Sequence, residues 1–208
     1  MSAADIAGRL IAQRVVPVLR LPSAEEAGQA VDALAEAGFR VFEITLTVPG
    51  ALALIEALRH RFGAAATIGA GTVLDLASAR RCVDAGAEFL VSPCRVDGLA
   101  ELAHACGRAA LAGGFTPTEV LAAHRSGADI VKVFPAASGG PAHLAALHSV
   151  FPDIVLCPTG GISADNLTDY FAAGARLVGV GNDIVDRDAL RVAHRARVVA
   201  HARRFLDW

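Results

Sequence analysis

Ser126-Gly127-Ala128-Asp129-Ile130-Val131-Lys132-Val133-Phe134-Pro135 joins the end of a helix to a buried strand. Glycine past the last turn of a helix closes it, because it takes a left-handed conformation at little steric cost. The apolar, β-branched run that follows is that of a strand covered on both faces. The same pattern occurs three more times. Ala37-Gly38-Phe39 precedes Val41–Leu46, Ala85-Gly86-Ala87 precedes Phe89–Ser92, and Ala173-Gly174-Ala175 precedes Leu177–Val180. The glycines fall at 38, 86, 127 and 174, in steps of 48, 41 and 47. Each step holds two strand–helix units, so the four glycine-marked repeats make eight strands. Val15–Arg20 is the first strand, and Thr67–Ala70, Ala109–Ala112 and Ile154–Cys157 fill the gaps.

The helices between the strands are expected at about 50–61, 75–85, 97–105, 117–126, 141–149 and 165–173, with a last one over 188–205. Ser23 and Glu26 form a capping-box pair that opens a helix running to Ala37. Ser2–Gln13, with Ile6 and Leu10 on one side, is a further helix closing one end of the molecule. The expected architecture is an α/β (β/α)8 (TIM) barrel with an N-terminal capping helix, one domain spanning residues 1–208. An open doubly wound sheet is the alternative. It ranks second because the count reaches eight and no GxGxxG follows the first strand.

Composition narrows the function. Hydrophobic residues make up 54% and aromatics 5%, so the core is aliphatic, as in alternating parallel strands and helices. A formal charge of −2 gives no positive field for nucleic acid or an anionic membrane. No apolar run approaches the roughly 20 residues of a membrane span. The first fourteen residues carry Asp5 and Arg9 and lack a signal-peptide core. Cys82, Cys94, Cys106 and Cys157 show no CxxC spacing and read as buried small apolar residues in a reducing cytoplasm. The seven histidines form no HxH or HExxH pair, so neither a metal nor any other cofactor is expected.

Lys132 is the only lysine in the chain; the other eighteen basic side chains are arginine. Arginine stays charged, whereas a desolvated lysine amine can lose its proton and attack a carbonyl. Lys132 is thus a Schiff-base nucleophile, or a strand-end cation that snorkels to water or pairs with a carboxylate. Strand alternation puts it on the side of Ile130 and Phe134. If that side faces the barrel interior, the amine is desolvated and its pKa falls. Glu43 lies between Phe42 and Ile44 in another apolar strand. A carboxylate there needs a partner or becomes a proton carrier. A buried Glu43–Lys132 ion pair satisfies both readings.

Barrel active sites lie at the C-terminal ends of the strands. There Arg20 is a solvated strand end or a forked clamp for a substrate carboxylate. Gly69-Ala70-Gly71-Thr72 is a tight turn or an anion cradle. Thr159-Gly160-Gly161 after strand 7 and Gly181-Asn182 after strand 8 stand where barrels often bind phosphate.

Glu43-Ile44-Thr45-Leu46-Thr47-Val48-Pro49, Ile68–Val73, Val91-Ser92-Pro93, Thr116-Pro117-Thr118-Glu119, Val131-Lys132-Val133-Phe134-Pro135 and Pro158–Ile162 occur in one order. Together they resemble the 2-keto-3-deoxy-6-phosphogluconate (KDPG) / 4-hydroxy-2-oxoglutarate (KHG) aldolases, over about Val15 to Val185. The resemblance implies a homotrimeric (β/α)8 barrel and class I aldol cleavage of a small-molecule 2-keto acid. It puts the Schiff-base lysine on Lys132 and the general acid/base on Glu43. It puts the carboxylate-binding pair on Arg20 and Thr72, phosphate binding on Thr159, Gly160, Gly161 and Gly181, and pocket walls on Pro93 and Phe134. Three positions depart from the family. Ala112-Gly113-Gly114-Phe115 replaces the usual Pro-Gly, which is expected to loosen the end of strand 5. Asn182 followed by Asp183 stands where many members carry serine as a phosphate ligand, and Cys94 follows Ser92-Pro93. Two other activities suit such a barrel: a metal-dependent aldolase or sugar-phosphate epimerase, and a non-catalytic sugar-phosphate-binding protein.

Overall fold

A computed structural model describes residues 1–207. Helix α1 (Ala3–Gln13) leads into β1 (Val15–Leu19), followed by α2 (Ala24–Ala37), β2 (Val41–Thr45), α3 (Ala51–Phe62), β3 (Thr67–Gly71) and α4 (Leu76–Asp84). The chain continues through β4 (Phe89–Val91), α5 (Leu99–Ala105), β5 (Ala109–Gly114), α6 (Pro117–Arg125), β6 (Ile130–Val133) and α7 (Gly140–Val150). It ends with β7 (Leu156–Pro158), α8 (Leu167–Ala172), β8 (Val178–Val180), α9 (Arg187–Arg191) and α10 (Arg195–Arg203).

All ladders are parallel, in the order β7-β6-β5-β4-β3-β2-β1-β8. The ring closes where Thr159 bridges Gly179 and the Arg176 N–H donates to the Leu156 carbonyl at 3.2 Å. Every strand residue is buried, because helices cover the outer face and side chains fill the inner one. The expected (β/α)8 barrel is the one observed. Gly38, Gly86, Gly127 and Gly174 all have left-handed φ, between 89° and 124°, so the repeated helix stop does what its chemistry predicts.

Helix α1 plugs the N-terminal end. Ser2 caps it through a reciprocal pair with Asp5, and Ile6 and Leu10 are fully buried. They pack on Val16, Val41, Phe89, Ala109, Ile130, Cys157 and Leu177, the inward residues of the strands. Two residues further along their strands, alternation turns Glu43 and Lys132 into the same interior.

Several expectations need correction. Ser23 caps α2 by accepting the Glu26 N–H at 3.1 Å, without the return bond from Glu26; reciprocal boxes form at Ser2–Asp5 and Thr116–Glu119. Strand β7 begins two residues late, since Ile154 is held in a turn by its N–H bond to the Phe151 carbonyl at 3.2 Å. The single last helix is two. Ala193 has φ 53°, the His194 N–H closes α9 on the Ala189 carbonyl at 2.8 Å, and the His194 ring accepts the Arg197 N–H to start α10. The end of β5 is not loosened. It pairs with β6 as far as Gly114 opposite Val133, and a Cβ on Gly113 would lie 2.1 Å from the Pro93 carbonyl carbon. Only Cys82 and Cys157 are buried. Cys106 caps α5 at its exposed C-terminus, and Cys94 lies in the loop after β4, exposed. No helix among the described residues is long and apolar enough to cross a membrane.

Candidate active site

Lys132 and Glu43 meet inside the ring of strands. Their positions follow from register: Glu43 lies between Val18 of β1 and Gly69 of β3, and Lys132 between Gly113 of β5 and Cys157 of β7. The flanking glycines admit other neighbours: a Cβ on Gly69 would strike the Phe89 ring, and one on Gly113 the Pro93 backbone. Lys132 Nζ is 3.8 Å from Glu43 Oε1, and the two residues are 6% and 3% exposed. That separation is too long for a hydrogen bond, and Glu43 Oε1 has no hydrogen-bond partner. Burial pushes the Glu43 carboxyl above its ordinary value, against the opposing pull of Lys132 and Arg20. An acid in that state holds its proton more readily than a solvated carboxylate does, which suits a proton carrier.

Lys132 opens on a cleft of about 590 Å³ at the C-terminal mouth. Its walls hold Arg20, Phe134, Thr159, Gly160, Gly161, Gly181 and Asn182 of the residues singled out from sequence, with Val18, Ile162, Ser163 and Asp183. The Phe134 ring centroid is 5.8 Å from Lys132 Nζ, within cation–π range. Arg20 Nη2 donates to Thr72 Oγ1 at 3.3 Å. Thr72 itself has φ 60°, a strained conformation for a β-branched residue, and it turns the hydroxyl toward the arginine. Thr72 lies beside the cleft and not on its wall, and so does Pro93, which packs behind Gly113.

On the opposite wall Gly160 and Gly161 have φ 95° and 77°, so no side chain comes between the loop and the cleft. A Cβ on Gly179 would sit 2.4 Å from Thr159 Oγ1, so that glycine makes room for the hydroxyl. Two residues the sequence reading passed over hold the frame. Asn166 accepts the Ser163 N–H at 2.9 Å and donates to the Gly161 carbonyl at 3.0 Å, tying down the glycine loop. Its spacing, Ser163-x-x-Asn166, is the signal for such a turn. Arg187 donates to the Arg20 carbonyl at 2.9 Å and joins the first and last strand ends; no local pattern announces that contact across the chain. Among the described residues, no three His, Cys, Asp or Glu side chains gather in a set that would hold a metal ion.

Comparison with known proteins agrees with this geometry. The family model described as KDPG and KHG aldolase matches residues 6–201. A probable 2-dehydro-3-deoxy-6-phosphogalactonate aldolase of Rhizobium meliloti is 39% identical over 82% of this chain and 81% of its own. A 2-dehydro-3-deoxy-phosphogluconate aldolase of Pseudomonas aeruginosa is 40% identical over 76% and 72%. Among solved structures, the KDPG aldolase of Legionella pneumophila, with pyruvate captured as a covalent carbinolamine intermediate, superposes with a TM-score of 0.86. It is 30% identical and covers 95% of this chain and 96% of its own. The chain therefore belongs to the KDPG and KHG aldolase family.

Proposed function

We propose that this aldolase cleaves a 2-keto-3-deoxy-6-phospho sugar acid to pyruvate and glyceraldehyde 3-phosphate, and 4-hydroxy-2-oxoglutarate to pyruvate and glyoxylate as a smaller substrate. The observation that carries the reading is the Lys132 amine, which lines an open cleft and lies 3.8 Å from a buried carboxylate oxygen of Glu43 that has no hydrogen-bond partner. The enzyme is a class I lyase, and each step uses a side chain already described.

The Lys132 amine adds to the C2 ketone through its unprotonated form, and loss of water with uptake of one proton from solvent gives a protonated imine. Arg20, steadied by Thr72, holds the substrate carboxylate through charge-assisted hydrogen bonds. Glu43, directly or through one water, takes the proton of the C4 hydroxyl. The C3–C4 bond breaks, its electron pair moves into the imine, and the aldehyde leaves. The enamine regains a proton at C3, and water hydrolyses the imine to release pyruvate and free Lys132. Thr159, Gly160, Gly161, Gly181 and Asn182 receive the phosphate end, with Phe134 walling the middle of the cleft. The carboxylate of Asp183 on the same wall disfavours a doubly charged phosphate, so the amide of Asn182 has to offset it by donating.

Relatives named for the gluconate and the galactonate substrates are both similar to this chain. The test is therefore a panel: both C4 epimers with and without the 6-phosphate, and 4-hydroxy-2-oxoglutarate, with pyruvate release coupled to lactate dehydrogenase. Pyruvate from at least one phosphorylated acid supports the reading, and none from any member of the panel overturns it. The chain works as a one-domain subunit of a cytoplasmic homotrimer, on the family likeness and its reducing-compartment cysteines. Light scattering at three chain masses supports the trimer, and one chain mass contradicts it.

A further inference from the structure

The place of Glu43 depends on an atom that is missing. A β-carbon built on Gly71 would lie 1.9 Å from Glu43 Oε1, 2.6 Å from its Cδ and 2.8 Å from its Cγ. The backbone does not demand glycine at this position: Gly71 is absent from the residues with positive φ, and it is Thr72, next along, that has φ 60°. No polar group demands it either, since Glu43 Oε1 has no hydrogen-bond partner. With no hydrogen bond to Oε1, and the Lys132 amine 3.8 Å away, the carboxylate is oriented chiefly by the shape of its surroundings. Here that shape is the bare backbone of Gly71 at the C-terminal end of β3.

We propose that Gly71 is a positioning residue for the acid/base: its missing side chain is the seat that keeps the Glu43 carboxylate within proton-transfer reach of Lys132. The inference rests on the roles given to Lys132 and Glu43 in the proposed reaction. It separates two duties within Gly69-Ala70-Gly71-Thr72: Thr72 steadies the arginine that grips the substrate carboxylate, and Gly71 seats the group that moves the proton. The three atoms a Gly71 methyl would meet first, Oε1, Cδ and Cγ of Glu43, all belong to one flexible side chain. The substitution therefore turns the carboxylate aside and leaves the strand in place.

The test is Gly71→Ala, alone and combined with Glu43→Gln, read by two measurements. One is capture of pyruvate on Lys132 by borohydride; the other is the rate of C3–C4 cleavage. Gly71→Ala is expected to keep capture within a few-fold of wild type and to lose cleavage by about 10²-fold or more, as removal of a general acid/base does. Gly71→Ala combined with Glu43→Gln is expected to be no worse than Glu43→Gln alone, because both changes disable one group. Cleavage by Gly71→Ala within a few-fold of wild type, or losses that multiply in the double variant, would overturn the inference. If Gly71→Ala fails to fold, adding Glu43→Ala empties the contested space and should restore folding; a double variant that still fails overturns the seat. Absence of capture in the wild type strikes the aldolase reading itself, whereas normal capture with normal cleavage in Gly71→Ala strikes the seat alone.

Discussion

The two ends of the barrel are built from the same strands and spend their inward positions differently. At the N-terminal end, Val16, Val41, Phe89, Ala109, Ile130 and Leu177 close on Ile6 and Leu10 of α1 in a largely apolar plug, with Thr67 the polar member. At the C-terminal end, the same rows continue into Glu43, Lys132, Thr159 and a series of glycines, and the interior opens as a cleft. The first arrangement supplies burial and asks nothing of individual groups. The second gives up burial to hold an amine near a carboxylate in low dielectric, where each charge is costly and therefore reactive. The account thus assigns stability to the floor and chemistry to the mouth, and substitutions at either end test that division.

The largest effect belongs to the mouth. Lys132→Met removes the nucleophile, and cleavage should fall by about 10⁴-fold or more, as nucleophile deletions do. Thermal stability should fall, because Glu43 is left buried without its cationic partner. Glu43→Gln keeps the shape and removes the proton carrier. Turnover should fall about 10²–10⁴-fold while pyruvate still becomes trapped on Lys132. The converse holds at the floor. Leu10→Ala should cost about 2–5 kcal/mol of stability by urea unfolding, with turnover per folded molecule unchanged. A mouth-like loss of activity from that change would erase the division between the two ends.

How much of this was written in the chain differs between the ends as well. The floor and the strand order were legible because they rest on periodic features. Helix-closing glycines precede buried runs at a steady interval, and all four take the conformation that makes glycine necessary. The break in the last helix was not legible, because Ala193 carries no glycine or proline to mark it and the turn is closed by contacts with Ala189 and His194. At the mouth, Lys132 stood out as the sole lysine and Glu43 as a carboxylate in an apolar strand. The role of Gly71 did not, since it depends on a side chain from the neighbouring strand. Neither did Arg187, which meets the Arg20 carbonyl from the far end of the chain. The expectation of a slack strand 5 failed for a related reason: Gly113 and Gly114 look flexible in sequence but pack against Pro93 and Glu119.

Two smaller effects sharpen the picture. Hydrogen bonds to charged groups are worth about 1.5–3 kcal/mol, so Arg20→Ala should raise KM about 10- to 100-fold with a lesser change in kcat. A rise confined to kcat would place Arg20 in the chemistry and not in binding. The last concerns Glu43. Burial raises its carboxyl above the ordinary 4.5, so the folded chain binds that proton more tightly than the unfolded chain. Its stabilising contribution is present below the unfolded value and is lost as pH climbs through the folded one. The Tm of Glu43→Gln relative to wild type should therefore increase as pH rises from about 4.5. Paired melts across pH check this, and a flat difference contradicts it.

The central claim is a covalent bond between one amine and one ketone. Incubation with pyruvate, reduction with borohydride and peptide mass spectrometry test it directly. The account predicts one reduced pyruvate per chain, on Lys132, and none in Lys132→Met. An unmodified Lys132, or an adduct that survives the Lys132→Met substitution, would contradict it.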